Sequence, residues 1–197
     1  MPDKILLNNF EHHFNENDLP CLISYGEKMG GSHFSVTLVA DLFLRGSKIL
    51  FLTAYPMAKD NFLEQLKGHE SKIEYITDKS QLNTTAQAII LESGNEKLYL
   101  QSVKQLKDLN ERVVLIKNME VFSGEVFNHC LGLSKVILSG DIDKCVAKAE
   151  LSKKQFKTTI LFSKPEIKLP FDLPVLEKYT GYMWSGNRSG LVKVQKV

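Results

Sequence analysis

The chain has 197 residues, of which 43% are hydrophobic and 24% are charged, so it can bury one sizeable core without disulfides or metal. Its 25 basic and 23 acidic residues leave a formal net charge of +2, too little for the whole molecule to attract nucleic acid or a membrane surface. Three widely spaced cysteines, and no apolar run near the ~20 residues that span a bilayer, predict reduced thiols in a soluble cytoplasmic protein.

The first predicted elements are a strand, a glycine-containing loop and a helix. Residues 19–25 form a short apolar run typical of a buried strand, and residues 32–45 are apolar on nearly every side of a helix. Gly46 is placed to end that helix. A continuous apolar run at 48–53 predicts a buried parallel strand, and a helix is predicted over 57–67.

Strands and helices continue to alternate along the rest of the chain. The patterns predict strands at 72–77, 88–92, 112–116, 135–138 and 158–162, the first of them an edge strand, and helices at 95–110, 124–131 and 143–153. This alternation favours an α/β fold with a mostly parallel central sheet and helices on both faces.

The two ends of the chain differ from this pattern. Two short strands around a glycine-containing tip predict a C-terminal antiparallel hairpin at about 178–195. The polar start is assigned to an N-terminal segment, residues 1–18. The remainder, 19–197, is predicted to be a single domain that includes the hairpin.

The loop before the first helix has the spacing of a phosphate-binding loop without its side chains. In the pattern G-x-x-x-x-G-K-[ST], Gly26 and Gly31 occupy the two glycine positions. Ser32 stands where a lysine would hold the phosphates, and His33 stands where a hydroxyl would hold magnesium. Since serine carries no charge and imidazole is a poor ligand for magnesium, the loop disfavours ATP hydrolysis.

The order of these features resembles the RecA/KaiC-like branch of P-loop ATPases over residues 19–195. Besides the loop, the resemblance rests on the segment 45–52, on residues 89–93 as a Walker-B-like strand, and on the closing hairpin. It implies a RecA-like fold, in which a nucleotide commonly lies between neighbouring subunits. The carboxylate that polarises water in such enzymes follows the second strand, where this chain reads 53–56 as Thr-Ala-Tyr-Pro. The resemblance is therefore to a degenerate member of the group.

The leading hypothesis is a pseudo-ATPase, a non-catalytic domain that acts as an assembly or regulatory subunit. It predicts a protein partner, either another copy or another RecA-like subunit, and neither a membrane, a metal nor an obligatory cofactor. Residual ATP or phosphate binding is assigned to a vestigial site, because the first turn of a helix attracts anions. The residues of that site are Gly26, Lys28, Gly30, Gly31, Ser32, His33 and Glu92.

Two other functions stay open. Lys28 inside the loop and Glu92 at a strand end could replace the missing pair in an atypical ATPase. Alternatively, a lysine-rich stretch from 144 to 168 and the hairpin residues Tyr182, Trp184 and Arg188 could bind single-stranded nucleic acid through phosphates and stacked bases. The same hairpin residues could instead anchor a protein interface.

Overall fold

The computed structural model describes most of the chain. The described residues are 14–43, 49–52, 73–76, 85–92, 96–101, 103–145, 148–166, 169, 171–186 and 188–193. The predicted helix at 57–67, the predicted helix end at Gly46 and the segment 53–56 lie outside them. The division into residues 1–18 and 19–197 stays a prediction.

One nine-stranded sheet forms the centre of the molecule. Its strands are β1 Cys21–Ser24, β2 Ile49–Leu52, β3 Ile73–Ile76, β4 Ala88–Leu91, β5 Val113–Lys117, β6 Val136–Gly140, β7 Thr158–Leu161, β8 Thr180–Ser185 and β9 Arg188–Lys193. They lie in the order β3-β2-β4-β5-β6-β1-β7-β8-β9. The first seven are parallel, and β8 and β9 form the antiparallel hairpin. The predicted fold class, the hairpin and the edge position of β3 are confirmed.

The described residues include four α-helices. They are α1 Gly31–Phe43, α2 Glu96–Gln101, α3 Gly124–Leu131 and α4 Lys148–Lys153. Among the residues described, none of these helices is long and apolar enough to cross a membrane.

The predicted helix at 95–110 is wrong beyond its first turns, because the chain leaves the α-helix at α2 and continues in 3-10 turns. The N–H groups of Leu106 and Leu109 bond to the carbonyls three residues back, at Val103 and Leu106. Apolar residues three apart fit a 3-10 turn as well as an α-helix, so the spacing alone could not separate the two.

The predicted helix at 143–153 also begins later than expected, at Lys148. The Asp141 carboxylate accepts the main-chain N–H of Asp143 at 3.1 Å and folds the chain into a turn. Short acidic side chains compete with helix formation in this way, which explains the delayed start.

Both faces of the sheet carry buried layers. On one face, Cys21 and Ile23 of β1 share an apolar cluster with Phe34 and Leu38 of α1. On the other face, alternate strand residues pack with α2, α3 and α4 through a second cluster. Since successive strand residues point to opposite faces, one continuous apolar strand feeds both clusters. Helices on both faces are therefore confirmed.

Candidate functional site

The glycine loop lies at the carboxyl end of the parallel sheet, between β1 and α1. β1 is a central strand, paired in parallel with β6 on one side and β7 on the other. Ligands of open α/β sheets bind at this edge, so the loop stands where the sequence predicted.

The loop itself, residues 25–30, turns sharply before the helix begins. Lys28 has a φ of 58° and Gly30 a φ of 88°. The carbonyl of Gly30 accepts the N–H of Phe34 at 2.9 Å, which makes Gly30 the residue that caps α1. A side chain is strained at such a φ, so Gly30 is required by the turn itself, whatever the loop binds.

Tyr25 fills the space beneath the loop. A Cβ added to Gly31 would lie 2.2 Å from Cδ1 of the Tyr25 ring, so a residue larger than glycine does not fit there without displacing the ring. Met29, near the end of the loop, packs against the cluster that α1 shares with the sheet. The underside of the loop is thus occupied by the protein's own side chains.

The Tyr25 hydroxyl belongs to a buried network of side chains. It donates to Oδ1 of Asn118 at 3.2 Å and lies 3.3 Å from Oγ of Ser139. Ser139 donates to Oγ of Ser35 at 3.0 Å, and Ser35 donates to the carbonyl of Ser32 at 2.9 Å. Burial raises the pKa of Tyr25, so its hydroxyl stays protonated near neutral pH. The network ties the first turn of α1 to the carboxyl ends of β5 and β6.

The two key positions of the phosphate-binding pattern carry no fixed cation. Ser32 and His33 are both half-buried in the first turn of α1. Burial lowers the pKa of His33, which favours its neutral form. The carbonyl of His33 accepts the hydroxyl of Thr37 at 3.0 Å, within the helix. Neither residue supplies the charge that a triphosphate needs.

Lys28 and Glu27 are the charged residues of the loop, and both are exposed. Glu27 lies 3.7 Å from the ammonium of Lys144, which also pairs with Asp141 at 3.3 Å. Lys144 thereby links the loop after β1 to the loop after β6. Such exposed pairs contribute little to stability, and they set one ammonium between two carboxylates beside the loop.

Glu92 does not lie beside the loop. It follows β4, and both β5 and β6 stand between β4 and β1, a separation of about 14 Å at ~4.8 Å per strand. Its Oε1 binds the ammonium of Lys117 at 2.8 Å, and both side chains are mostly buried. The residues across from the loop are Asn118 and Ser139, which the sequence analysis did not single out.

The hairpin residues come together at the far end of the sheet. Tyr182 and Trp184 share one face of β8, where Phe171 stacks on Trp184 with ring centroids 5.5 Å apart and lies 5.6 Å from Tyr182. Arg188 is exposed at the start of β9, opposite Ser185. The structure therefore groups these three predicted residues but separates them from the glycine loop by β7.

A second polar cluster lies on the face opposite α1. The thiol of Cys130 donates to the hydroxyl of Tyr99 at 2.9 Å, and that hydroxyl is hydrogen-bonded to Nδ1 of His129 at 2.8 Å. Burial raises the pKa of Cys130 to about 12, so the thiol stays protonated and is a poor nucleophile. Cys21, Cys130 and Cys145 are all buried and form no disulfide, so the predicted reduced thiols are compatible with the structure.

Metal-binding groups do not cluster in the described ranges. No set of three or more His, Cys, Asp or Glu side chains in this part of the chain is arranged to hold an ion.

Two solved structures share this architecture. EssC (ATPases 2 and 3) from Geobacillus thermodenitrificans matches 92% of this chain with 16% identity and a TM-score of 0.56. The cytoplasmic domain of EssC also matches 92% of it, with 18% identity and a TM-score of 0.52. The chain has a P-loop ATPase-type fold. It spans only 37% and 39% of the lengths of those two chains, and identities this low show the fold alone.

Comparisons of the sequence itself add nothing to this result. No family model matches the chain, and no curated protein matches it.

Proposed function

We propose that this chain is a pseudo-ATPase, a non-catalytic RecA-like domain that acts as an assembly or regulatory subunit. The contacts of Tyr25 are the main support for this proposal. Its ring occupies the space beneath Gly31, and its hydroxyl engages Asn118 and Ser139 at the strand ends that face the loop. Phosphoryl transfer needs charged groups that hold the phosphates and magnesium, and Tyr25 with its two neutral partners supplies none, which supports loss of catalysis.

The charges around the loop support the same proposal. Phosphoryl transfer requires fixed positive charge on the phosphates and a metal ion that bridges them. Lys28 is exposed, and Ser32 and His33 provide no cation. Glu92, the other residue of the atypical-ATPase alternative, is bound to Lys117. It follows β4, and β5 and β6 lie between β4 and β1. Lys28 and Glu92 are therefore poorly placed to act together.

Calorimetric titration with magnesium ATP, followed by a phosphate-release assay, tests the proposal. We expect no saturable binding up to ~1 mM nucleotide, the range of the weakest specific affinities, and no phosphate release above background. Lys28→Ala tests the alternative, and Lys107→Ala, at an exposed turn, is its matched control. Micromolar binding with turnover that Lys28→Ala abolishes and Lys107→Ala retains would show that the chain is an enzyme.

The partner in this proposal is a protein. RecA-like domains pack against neighbours of the same fold, and the packing surface can persist after the nucleotide becomes dispensable. We expect the chain to work in the cytoplasm, as a homo-oligomer or with another RecA-like subunit. Sedimentation analysis of the purified chain, alone and with candidate RecA-like subunits, checks this expectation. A monomer that binds none of them would contradict it.

A nucleic-acid-binding module is less well supported. Phe171 already stacks on Trp184 and contacts Tyr182, so these rings have less free surface for bases. In the lysine-rich stretch, Lys144 is paired with carboxylates and Lys154 is bound to main-chain carbonyls. Binding of an oligothymidine with a steep salt dependence would favour this function instead.

A further inference from the structure

β9 is the outer strand of the sheet in the described part of the chain. Its inner side pairs with β8 over six residue pairs, and no described strand pairs with its outer side. An edge strand presents unpaired N–H and C=O groups that can bind another extended segment. With six residues, β9 offers an edge about 20 Å long.

The register identifies which groups of β9 point outward. β8 and β9 are joined by two residues, and Ser185 pairs with Arg188, so this closing pair exchanges both main-chain hydrogen bonds. Antiparallel pairs alternate between bonded and non-bonded. The N–H and C=O groups of Ser189, Leu191 and Lys193 therefore point away from β8.

The side chains of the edge leave it accessible. Leu191 lies opposite Tyr182 and is 40% exposed, whereas Val192 is fully buried on the other face. Neither a proline nor an inward-pointing charge interrupts β9, although these are common devices that protect edges from pairing. The exposed Leu191 and the half-buried Tyr182 offer an apolar contact beside the outward main-chain groups.

The charges of the hairpin determine which kind of strand fits. Residues 180–193 contain no aspartate or glutamate, and Arg188 and Lys193 stand exposed at the two ends of β9. Pairing β9 antiparallel with β9 of a second copy would bring Arg188 of each copy beside Lys193 of the other, and like charges across strands are unfavourable. An acidic segment complements both ends.

We propose that β9 binds an extended acidic segment of another protein, which adds a tenth strand to the sheet. In the antiparallel orientation, two carboxylates about five residues apart lie next to Arg188 and Lys193, and an apolar residue lies beside Leu191. This inference goes beyond the proposed function and does not depend on it, because β9 is three strands away from β1 and the loop.

Fluorescence anisotropy with a labelled acetyl peptide, Asp-Thr-Val-Thr-Val-Glu, tests the proposal on the full chain. We expect saturable binding, and at least about tenfold weaker binding of Lys-Thr-Val-Thr-Val-Lys. Leu191→Pro removes an outward N–H without removing a bond to β8, so it should abolish binding while the melting temperature changes little. Leu191→Ala, which keeps the N–H, is the matched control and should retain most of the affinity.

A charge-reversal variant keeps the test informative if Leu191→Pro does not fold. Arg188→Glu with Lys193→Glu should reverse the preference, so that the lysine peptide binds better than the acidic one. The proposal is overturned if the acidic peptide does not bind at ~1 mM, if Leu191→Pro and Leu191→Ala bind it equally, or if charge reversal leaves the preference unchanged. It is also overturned if sedimentation shows that the edge pairs two copies of this chain, or if oligothymidine competes with the peptide.

Discussion

Gly31 and Tyr25 are in such close contact that each restricts the other. We predict that Gly31→Ala lowers the free energy of unfolding by about 2 kcal/mol or more, because the added Cβ would lie 2.2 Å from the Tyr25 ring. In a Tyr25→Ala background, the same substitution should cost less than about 1 kcal/mol, because the ring is no longer there. Urea denaturation of the four proteins in this double-mutant cycle measures the coupling.

The first glycine of the loop provides the control for this cycle. A Cβ added to Gly26 would have Oγ of Ser163 as its nearest neighbour, at 3.8 Å, an ordinary contact. Gly26→Ala should therefore change the free energy of unfolding by less than about 1 kcal/mol. Equal losses for Gly26→Ala and Gly31→Ala, or purely additive effects of Gly31→Ala and Tyr25→Ala, would contradict the packing of Tyr25 beneath Gly31.

We predict that His129 makes the stability of the protein depend on pH. Burial, with a smaller effect of the Lys104 ammonium, lowers the pKa of His129 below its ordinary value, while Glu125 acts in the opposite direction. The unfolded chain therefore binds the proton first, so the free energy of unfolding should fall as pH drops below about 6.5. Burial lowers the pKa of His33 too, which contributes in the same direction.

The variant His129→Asn measures how much of this pH dependence comes from His129. Asparagine can still hydrogen-bond to the Tyr99 hydroxyl but does not titrate, so the variant should lose less stability between about pH 7 and pH 5 than the parent chain does. Urea denaturation at several pH values measures the slope. Identical slopes for the two proteins would contradict a role for the His129 imidazole.

At the scale of elements, a lysine stabilises the end of α3. The ammonium of Lys154, just after α4, donates to the carbonyls of Leu131 and Leu133 at the carboxyl end of α3, the latter at 3.0 Å. Cations are favourable at this end of a helix, where the last carbonyls lack helical partners. The same contact joins two helices on one face of the sheet.

Replacing Lys154 tests this contact. Lys154→Met retains most of the aliphatic stem but leaves both carbonyls without their donor. It should lower the free energy of unfolding by about 1 to 2 kcal/mol in urea denaturation. The matched control is Lys153→Met at the exposed neighbouring position, which should change it by less than about 0.5 kcal/mol. A Lys154→Met protein as stable as the control would contradict the assignment.

At the scale of the whole molecule, the reactivity of the three cysteines shows whether the native packing is intact. Cys21, Cys130 and Cys145 are all buried, and burial also raises the pKa of Cys21. Because thiolate is the reactive form, we predict that a disulfide reagent at about pH 8 modifies none of them quickly in the native chain. All three should react in denaturant. A thiol that reacts natively within the mixing time would contradict the packing of that cysteine.

The sheet could be predicted from the sequence because a short local pattern of residues marks each strand. Continuous apolar runs such as 112–116 and 135–138 mark strands buried on two faces, and their alternation with helices implies parallel order. The filled loop could not be predicted in this way. Tyr25 reaches Asn118 and Ser139, which lie 93 and 114 residues further along the chain, and no local pattern relates residues so distant. The glycine spacing alone does not distinguish an open phosphate-binding loop from a filled one.

The hydroxyl network also determines how the molecule can move. In a nucleotide-driven machine, the strand ends opposite the loop alternate between arrangements as phosphate arrives and departs. Here a chain of buried and part-buried hydrogen bonds connects the start of α1 to those strand ends through Ser35, Ser139 and Tyr25. Any such movement would have to break several of them at once. In the assembly that we propose, this chain would be the rigid member, and its active neighbours would move relative to it.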